Sequence, residues 1–183
     1  DYYNSNEEKY KKLLDIRDNF NNNIIFAGGC WRWSGFAPNY SKTFETTNAA
    51  LNQCKAKGIK EVFATAWGDD GSETPIYSII VGLILFGEHG YYNKVEKEWL
   101  DERCKSLTGL SMEDFTSLEE LDIVPSVKTP NMEVCNPSKY IAYQDLLLGA
   151  FDKHLEGLDL EEHYINLSKK YEEIGEKSER FKL

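Results

Sequence analysis

Two short apolar runs, Asn23-Ile24-Ile25-Phe26-Ala27 and Glu61-Val62-Phe63-Ala64-Thr65-Ala66, read as β-strands; every other regular stretch reads as helix. That ratio limits the fold more than any other feature. Each run is followed by a long loop and then a helix, the first loop containing CWRWSGFAPNYSK and the second WGDDGSET. Strands that alternate with helices imply a parallel pair joined by a right-handed crossover. Both loops then leave the carboxyl ends of their strands and share one sheet edge, where α/β folds bind ligands. Two parallel strands are a poor sheet by themselves, because both faces and both edges need cover. A complete doubly wound sheet or barrel needs several more such units. The chain shows two, begins inside a helix and has no initiator Met. The expectation is therefore the carboxyl-terminal piece of a longer α/β protein.

The spacing predicts a first helix from Asn6 to Phe20, with Tyr10, Leu13, Leu14 and Arg17 on one face, and Gly28-Gly29 ends the first strand. Thr43 to Lys57 follows as a helix that packs Phe44, Ala50, Leu51 and Cys54 and stops at Gly58. Pro75 opens a very apolar helix that runs to about His89. From Asn93 onward acidic helices take over, predicted at 95–107, 111–121, 137–143, 145–156 and 160–179, with an irregular connection over 123–135. The organisation expected is α/β but mainly helical: βα units over 1–92 and a helical domain over 93–183.

Charge follows the same division. The net charge is −10, and residues 1–93 contribute 9 − 11 = −2 while residues 94–183 contribute 12 − 20 = −8. An acidic surface repels a duplex or an anionic membrane, so neither nucleic acid nor membrane is expected as a partner. The longest apolar stretch, Ile79 to Phe86, is far short of a membrane span, and no signal peptide is visible. Cys30, Cys54, Cys104 and Cys135 show no CxxC spacing and read as reduced thiols of a cytoplasmic protein. His89, His154 and His163 have no ligand spacing with one another or with the cysteines, so no metal is expected.

The chemistry-bearing residues concentrate on the two loops. The first holds Trp31, Trp33, Phe36 and Tyr40; the second opens on Trp67 and adds Asp69, Asp70 and Glu73. An indole at the carboxyl edge of a sheet either packs against other loops or lines a pocket. Aromatic faces beside carboxylates suit a sugar, whose ring stacks while its hydroxyls make charge-assisted hydrogen bonds. Plainer readings stand beside this one. Trp31 packs, and Asp69-Asp70-Gly71 is a turn with Asp70 capping the helix near Pro75; alternatively Ser72 or Thr74 caps that helix, leaving Glu73 for a ligand or the helix dipole. A calcium loop built on DDGSE lacks its remaining ligands. The acidic helices read as solvated surface.

The run FAGGCWRWSGFAPNY, the helix KTFETTNAALNQCKAKGIKEV and then FATAWGDDGSETPIYSIIVGLILFGEHGY resemble the last part of glycoside hydrolase family 20, the β-N-acetylhexosaminidases, in their bacterial intracellular branch. The downstream run NPSKYIAYQDLLLGAFDKHLEGLDLEEHY resembles the helical carboxyl-terminal domain of that branch. The resemblance implies the last two βα units of a (β/α)8 barrel followed by a carboxyl-terminal helical bundle. It implies that Trp67 floors the pocket of the terminal sugar and that Asp69 binds its hydroxyls, where the wider family often has Glu. Glu73 is the alternative hydroxyl ligand, and Trp31 or Trp33 supplies a wall. Family chemistry is substrate-assisted: the sugar's own acetamido oxygen attacks the anomeric carbon, and an Asp-Glu pair after the fourth strand assists. No strand-borne Asp-Glu pair exists in this chain, so no catalytic residue is assigned.

Two classes of function follow. One is a portion of an exo-acting β-N-acetylhexosaminidase that supplies part of a pocket for N-acetylhexosamine-containing glycans, without a cofactor and inactive alone. The other is a non-catalytic carbohydrate-binding or interaction module. A third, plainer option is a helical domain whose aromatics are all core. Uncovered strand edges predict a homodimer of the isolated chain, or cover by its own loops.

Overall fold

The computed structural model describes residues 1–20, 23–33, 35–69, 73–123, 137–143, 146, 148, 149 and 152–177. Among them, β1 (Ile25–Gly29) and β2 (Glu61–Thr65) form a parallel two-stranded sheet, with Ile25 opposite Glu61 and Gly29 opposite Thr65. The first strand therefore runs through Gly28-Gly29 instead of ending before them. Close packing explains why glycine is needed there. A Cβ on Gly28 would lie 2.6 Å from the Phe86 ring, and one on Gly29 would lie 2.8 Å from the Trp33 indole.

Helix α1 (Glu7–Asp18) is capped by Asn6 and buries Tyr10 and Leu14, whereas Leu13 is exposed. Helix α2 (Tyr40–Ala56) starts three residues earlier than the spacing predicts, because the Asn39 side chain accepts the Lys42 amide at 2.9 Å. It closes at Lys57-Gly58, and Gly58 takes the left-handed conformation (φ +69°) that ends a helix cheaply only for glycine. The apolar helix divides into a 3-10 turn (Ile76–Ile79) and α3 (Ile80–Tyr91). Thr74 does not cap it: its hydroxyl donates to the Gly35 carbonyl at 2.6 Å and is wholly buried.

The downstream helices are α4 (Lys97–Thr108), α5 (Met112–Thr116), α6 (Pro137–Ala142), α7 (Asp152–Leu155) and α8 (Glu161–Lys177). The helix predicted at 111–121 is α5, started by a Ser111/Asp114 capping box, and then a 3-10 turn (Ser117–Asp122). Of the helix predicted at 145–156, the described residues show Asp152–Leu155 as helix, whereas Leu148 and Gly149 have the positive φ of a turn. The predicted connection over 123–135 lies, beyond Ile123, outside the described residues, as do Cys135, Asp70 and Ser72.

Two clusters hold the chain together. Tyr10, Leu14, Phe26, Ala49, Ala50, Leu51 and Cys54 join α1 and α2 to one face of the sheet, with Ile24, Ile59 and Phe86 at the margin. Tyr40, Val81, Ile84 and Leu85 pack with Leu100, Cys104, Leu110, Met112 and Phe115, so the segments before and after residue 92 share a core. Among the described residues, neither cluster extends to the opposite face of the sheet. Ile25 and Phe63, two registers apart and on that face, are 55% and 52% exposed. Cys30, Cys54 and Cys104 are buried free thiols. Among the described residues no group of His, Cys, Asp and Glu is arranged to hold a metal. No described helix is long and apolar enough to cross a membrane.

Gly82 on α3 packs closely against Cys30, the residue after β1. A Cβ there would lie 2.5 Å from the Cys30 sulfur and 3.2 Å from the Thr43 methyl. Overpacking of this kind costs about 1–3 kcal/mol, more than the ~1 kcal/mol a helix gains from Gly→Ala. Gly82→Ala is therefore expected to lower the urea midpoint, and adding Cys30→Ala is expected to restore it. A single variant as stable as the parent chain would show that α3 has room to shift.

Candidate functional site

The parallel register brings the two loops to the same end of the sheet. The Cys30 amide donates to the Thr65 carbonyl at 2.8 Å, carrying the pairing one residue past β1. The loops then diverge, and Arg32 spans the gap. Its guanidinium donates through Nη1 to the Trp67 carbonyl (3.0 Å) and through Nε and Nη2 to the Thr74 carbonyl (3.2 and 2.6 Å). One buried fork thus holds both ends of the second loop. Sequence reasoning passed over this residue. The one signal for it was a cation flanked by two tryptophans, where a charge enters an apolar cluster only with partners.

Trp31 and Trp33 stack on each other with centroids 4.3 Å apart at 29°. Both are buried, at 1% and 7% exposure, and the amino-terminal tyrosines cover them. Tyr2 meets the two indoles edge-on at 6.3 and 5.2 Å, Tyr3 meets Trp31 at 5.2 Å, and the Trp31 indole N–H donates to the Tyr2 carbonyl at 3.0 Å. Lys42 lies 5.7 Å above the Trp31 ring, and Thr43 Oγ1 accepts the Trp31 amide. Trp67 is different. Its ring is 49% exposed and Asp69 beside it is exposed as well. An open indole with an adjacent carboxylate can stack on one face of a pyranose and accept its hydroxyls.

Glu73 is held by the helical segment. Lys139 on α6 pairs with Glu73 Oε2 at 3.0 Å, and the Tyr143 hydroxyl donates to Oε1 at 3.4 Å. Burial works against the ionised carboxylate, but the hydrogen bond and charge of Lys139 outweigh it and hold Glu73 below the usual glutamate range. The first loop is held in a similar way. Asp122 accepts the Ala37 amide at 2.8 Å, and Glu119 accepts the Ser41 amide and hydroxyl at 3.0 and 3.1 Å. Both carboxylates are buried, so these two acidic residues are not the solvated surface expected from composition. Burial pushes the Cys30 thiol up to about 12, which disfavours its thiolate, and the side chain packs just past the end of β1.

A cavity of about 950 Å³ lies away from these loops, among Phe44, Leu85, Leu100 and Met112 with a charged rim. It shares no residue with the Trp67 surface. What ties these residues together is Arg32, which joins the loop of the buried Trp31–Trp33 stack to the Trp67 backbone, while Glu73 is anchored separately to α6.

Comparison with known families gives a match in the second half of the chain. Residues 113–183 match the family model of the Glycoside Hydrolase 20C C-terminal domain. The matched segment contains the side chains that grip the two loops, and it agrees with the family 20 resemblance read from the sequence. No curated protein matches the chain.

Proposed function

We propose that the chain is the carboxyl-terminal part of an exo-acting β-N-acetylhexosaminidase, with β1 and β2 as the last two strands of a (β/α)8 barrel and residues 93–183 as the helical domain appended to it. The observation that carries this reading is the one-sided sheet: α1 and α2 cover the Phe26 face, while Ile25 and Phe63 on the other face lie open. A barrel wall has this form, with helices outside and further strands closing around the inner face. The carboxyl-end loops then line the mouth, where Trp67 stacks on the terminal sugar of an N-acetylhexosamine-containing glycan and Asp69 binds its hydroxyls. Trp31 and Trp33 form the wall behind Tyr2, and Glu73 stands at the rim. The acidic pair that assists the acetamido group comes from earlier strands, so this chain positions sugar and does no proton transfer. The reading needs no cofactor and places the enzyme in the cytoplasm. Alone, the chain covers its open strand edges by pairing with a second copy.

The test is the full-length protein that contains this chain, assayed on 4-nitrophenyl N-acetyl-β-glucosaminide and the galacto analogue. Hydrolysis is expected, and Asp69→Ala is expected to lower kcat/KM by about 10- to 100-fold, as loss of a charge-assisted pair of hydrogen bonds does. Absence of nitrophenol release from either substrate would overturn the enzyme reading. Saturable N-acetylglucosamine binding without turnover would assign the rim to a non-catalytic carbohydrate-binding module.

A further inference from the structure

We infer that the helical segment is a positioning element for the sugar rim, with Lys139 as the residue that sets the Trp67–Asp69 loop by holding Glu73. The inference deepens the proposed function, since it rests on that reading for the sugar; the mechanical coupling stands on the contacts alone. Among the described residues, Glu119, Asp122, Lys139 and Tyr143 reach from this segment to the loops. Glu119 and Asp122 accept backbone amides at Ser41 and Ala37, on the first loop and the start of α2. Lys139 and Tyr143 bind the Glu73 carboxylate on the second. Tyr143 touches both loops, because its ring also meets Phe36 edge-on at 5.8 Å.

The grip on the second loop matters most, because that loop carries the exposed residues. Its backbone is fixed at both ends by Arg32, at Trp67 and at Thr74. Glu73 is the residue just inside the second of these anchors. A glutamate paired with a lysine that is itself mostly buried is oriented more firmly than a surface pair. The Lys139 ammonium also occupies the carboxylate that sequence reasoning offered as a sugar ligand. Glu73 is therefore a positioning residue, and Asp69 is left as the acceptor facing the ligand. Specificity for the sugar thus depends on a residue in α6, 66 positions beyond Glu73 in the sequence.

The four tryptophans provide a direct readout. With 5-fluorotryptophan incorporated in the chain, each gives one fluorine resonance, assigned by single Trp→Phe variants. Lys139→Met is expected to shift or broaden the Trp67 resonance while Trp99, remote on α4, stays in place. Glu119→Ala is expected to move the Trp31 resonance instead, and Lys139→Arg is expected to return Trp67 to its original position. A Trp67 resonance unchanged in Lys139→Met, with helical circular dichroism intact, would overturn the inference. So would an equal displacement of all four resonances, which reports general loosening. In the full-length enzyme, Lys139→Met is expected to raise KM about tenfold with a smaller change in kcat, and Lys139→Arg to recover it. A protein without hexosaminidase activity that still shows the selective Trp67 shift would remove the enzyme reading and leave the coupling standing.

Discussion

Arg32→Ala is expected to lower the stability of the chain by about 3–5 kcal/mol, which for this size moves the melting midpoint by roughly 10 °C. The residue is 6% exposed, and its removal strips the Trp67 and Thr74 carbonyls of their guanidinium donors. Each hydrogen bond from a charged donor contributes about 1.5–3 kcal/mol, and a buried carbonyl left without a partner carries its own desolvation cost. A cavity beside Trp31 and Trp33 adds to the loss. Arg32→Lys is expected to recover little, because an ammonium on a flexible stem cannot fork between two carbonyls on opposite ends of a loop. Differential scanning calorimetry checks the first effect, and acrylamide quenching of Trp67 checks whether the loop has loosened. A midpoint within 2 °C of the parent chain would mean that the loops are held together without this residue.

Arg32 also shows where a sequence is readable and where it is not. Periodicity located both strands and the long helices, because the 3.6- and 2-residue patterns depend only on which residues face the core. Tyr10, Leu14, Ala50, Leu51 and Cys54 are buried where that pattern puts them. Trp31 and Trp33, two apart on an extended segment, stack on each other. What periodicity does not carry is the identity of long-range polar partners. Asp122 and Ala37 lie 85 positions apart, and Glu119 and Ser41 lie 78 apart, and no local pattern links them. An acidic helix with two buried carboxylates has the same composition as a fully solvated one. Gly28-Gly29 misled for a related reason: glycine reads as a strand terminator unless the Phe86 and Trp33 rings pressed against it are known. The tyrosine cover over the indoles is equally remote, since Tyr2 and Trp31 are 29 positions apart. The residue types on the two loops are legible in the sequence, whereas the exposure of Trp67 and the burial of Trp31 are not.

The same logic of remote polar contacts makes acid sensitivity depend on His89. The imidazole is buried at the carboxyl end of α3, with Nε2 2.8 Å from Asn48 Oδ1 and Nδ1 3.0 Å from Lys55 Nζ. An amide oxygen only accepts, so Nε2 carries the proton and Nδ1 accepts from the lysine, which fixes the neutral tautomer. Lys55 also donates to the Tyr92 and Asn93 carbonyls, tying α2 to the end of α3. Burial first, and then the Lys55 charge, depress the His89 pKa from the ordinary 6.5 to about 4. The sign follows from linkage. Above pH 6.5 the imidazole is neutral in both folded and unfolded chains and pH has no effect through it. Between 6.5 and 4 the unfolded chain takes up a proton that the folded chain refuses, so stability falls as pH falls, by on the order of 3 kcal/mol across that window. Glu73, Asp101 and Asp114, held below their ordinary ranges by lysine partners against the opposing effect of burial, add their own losses only at still lower pH. The urea midpoint is therefore expected to decline from pH 7 to pH 4.5 in the parent chain. In His89→Gln, which keeps a polar contact to Asn48 but does not titrate, the decline is expected to be absent although the midpoint at pH 7 is lower. A parent chain with a flat profile over that interval, or a variant that retains the slope, would remove His89 as its cause.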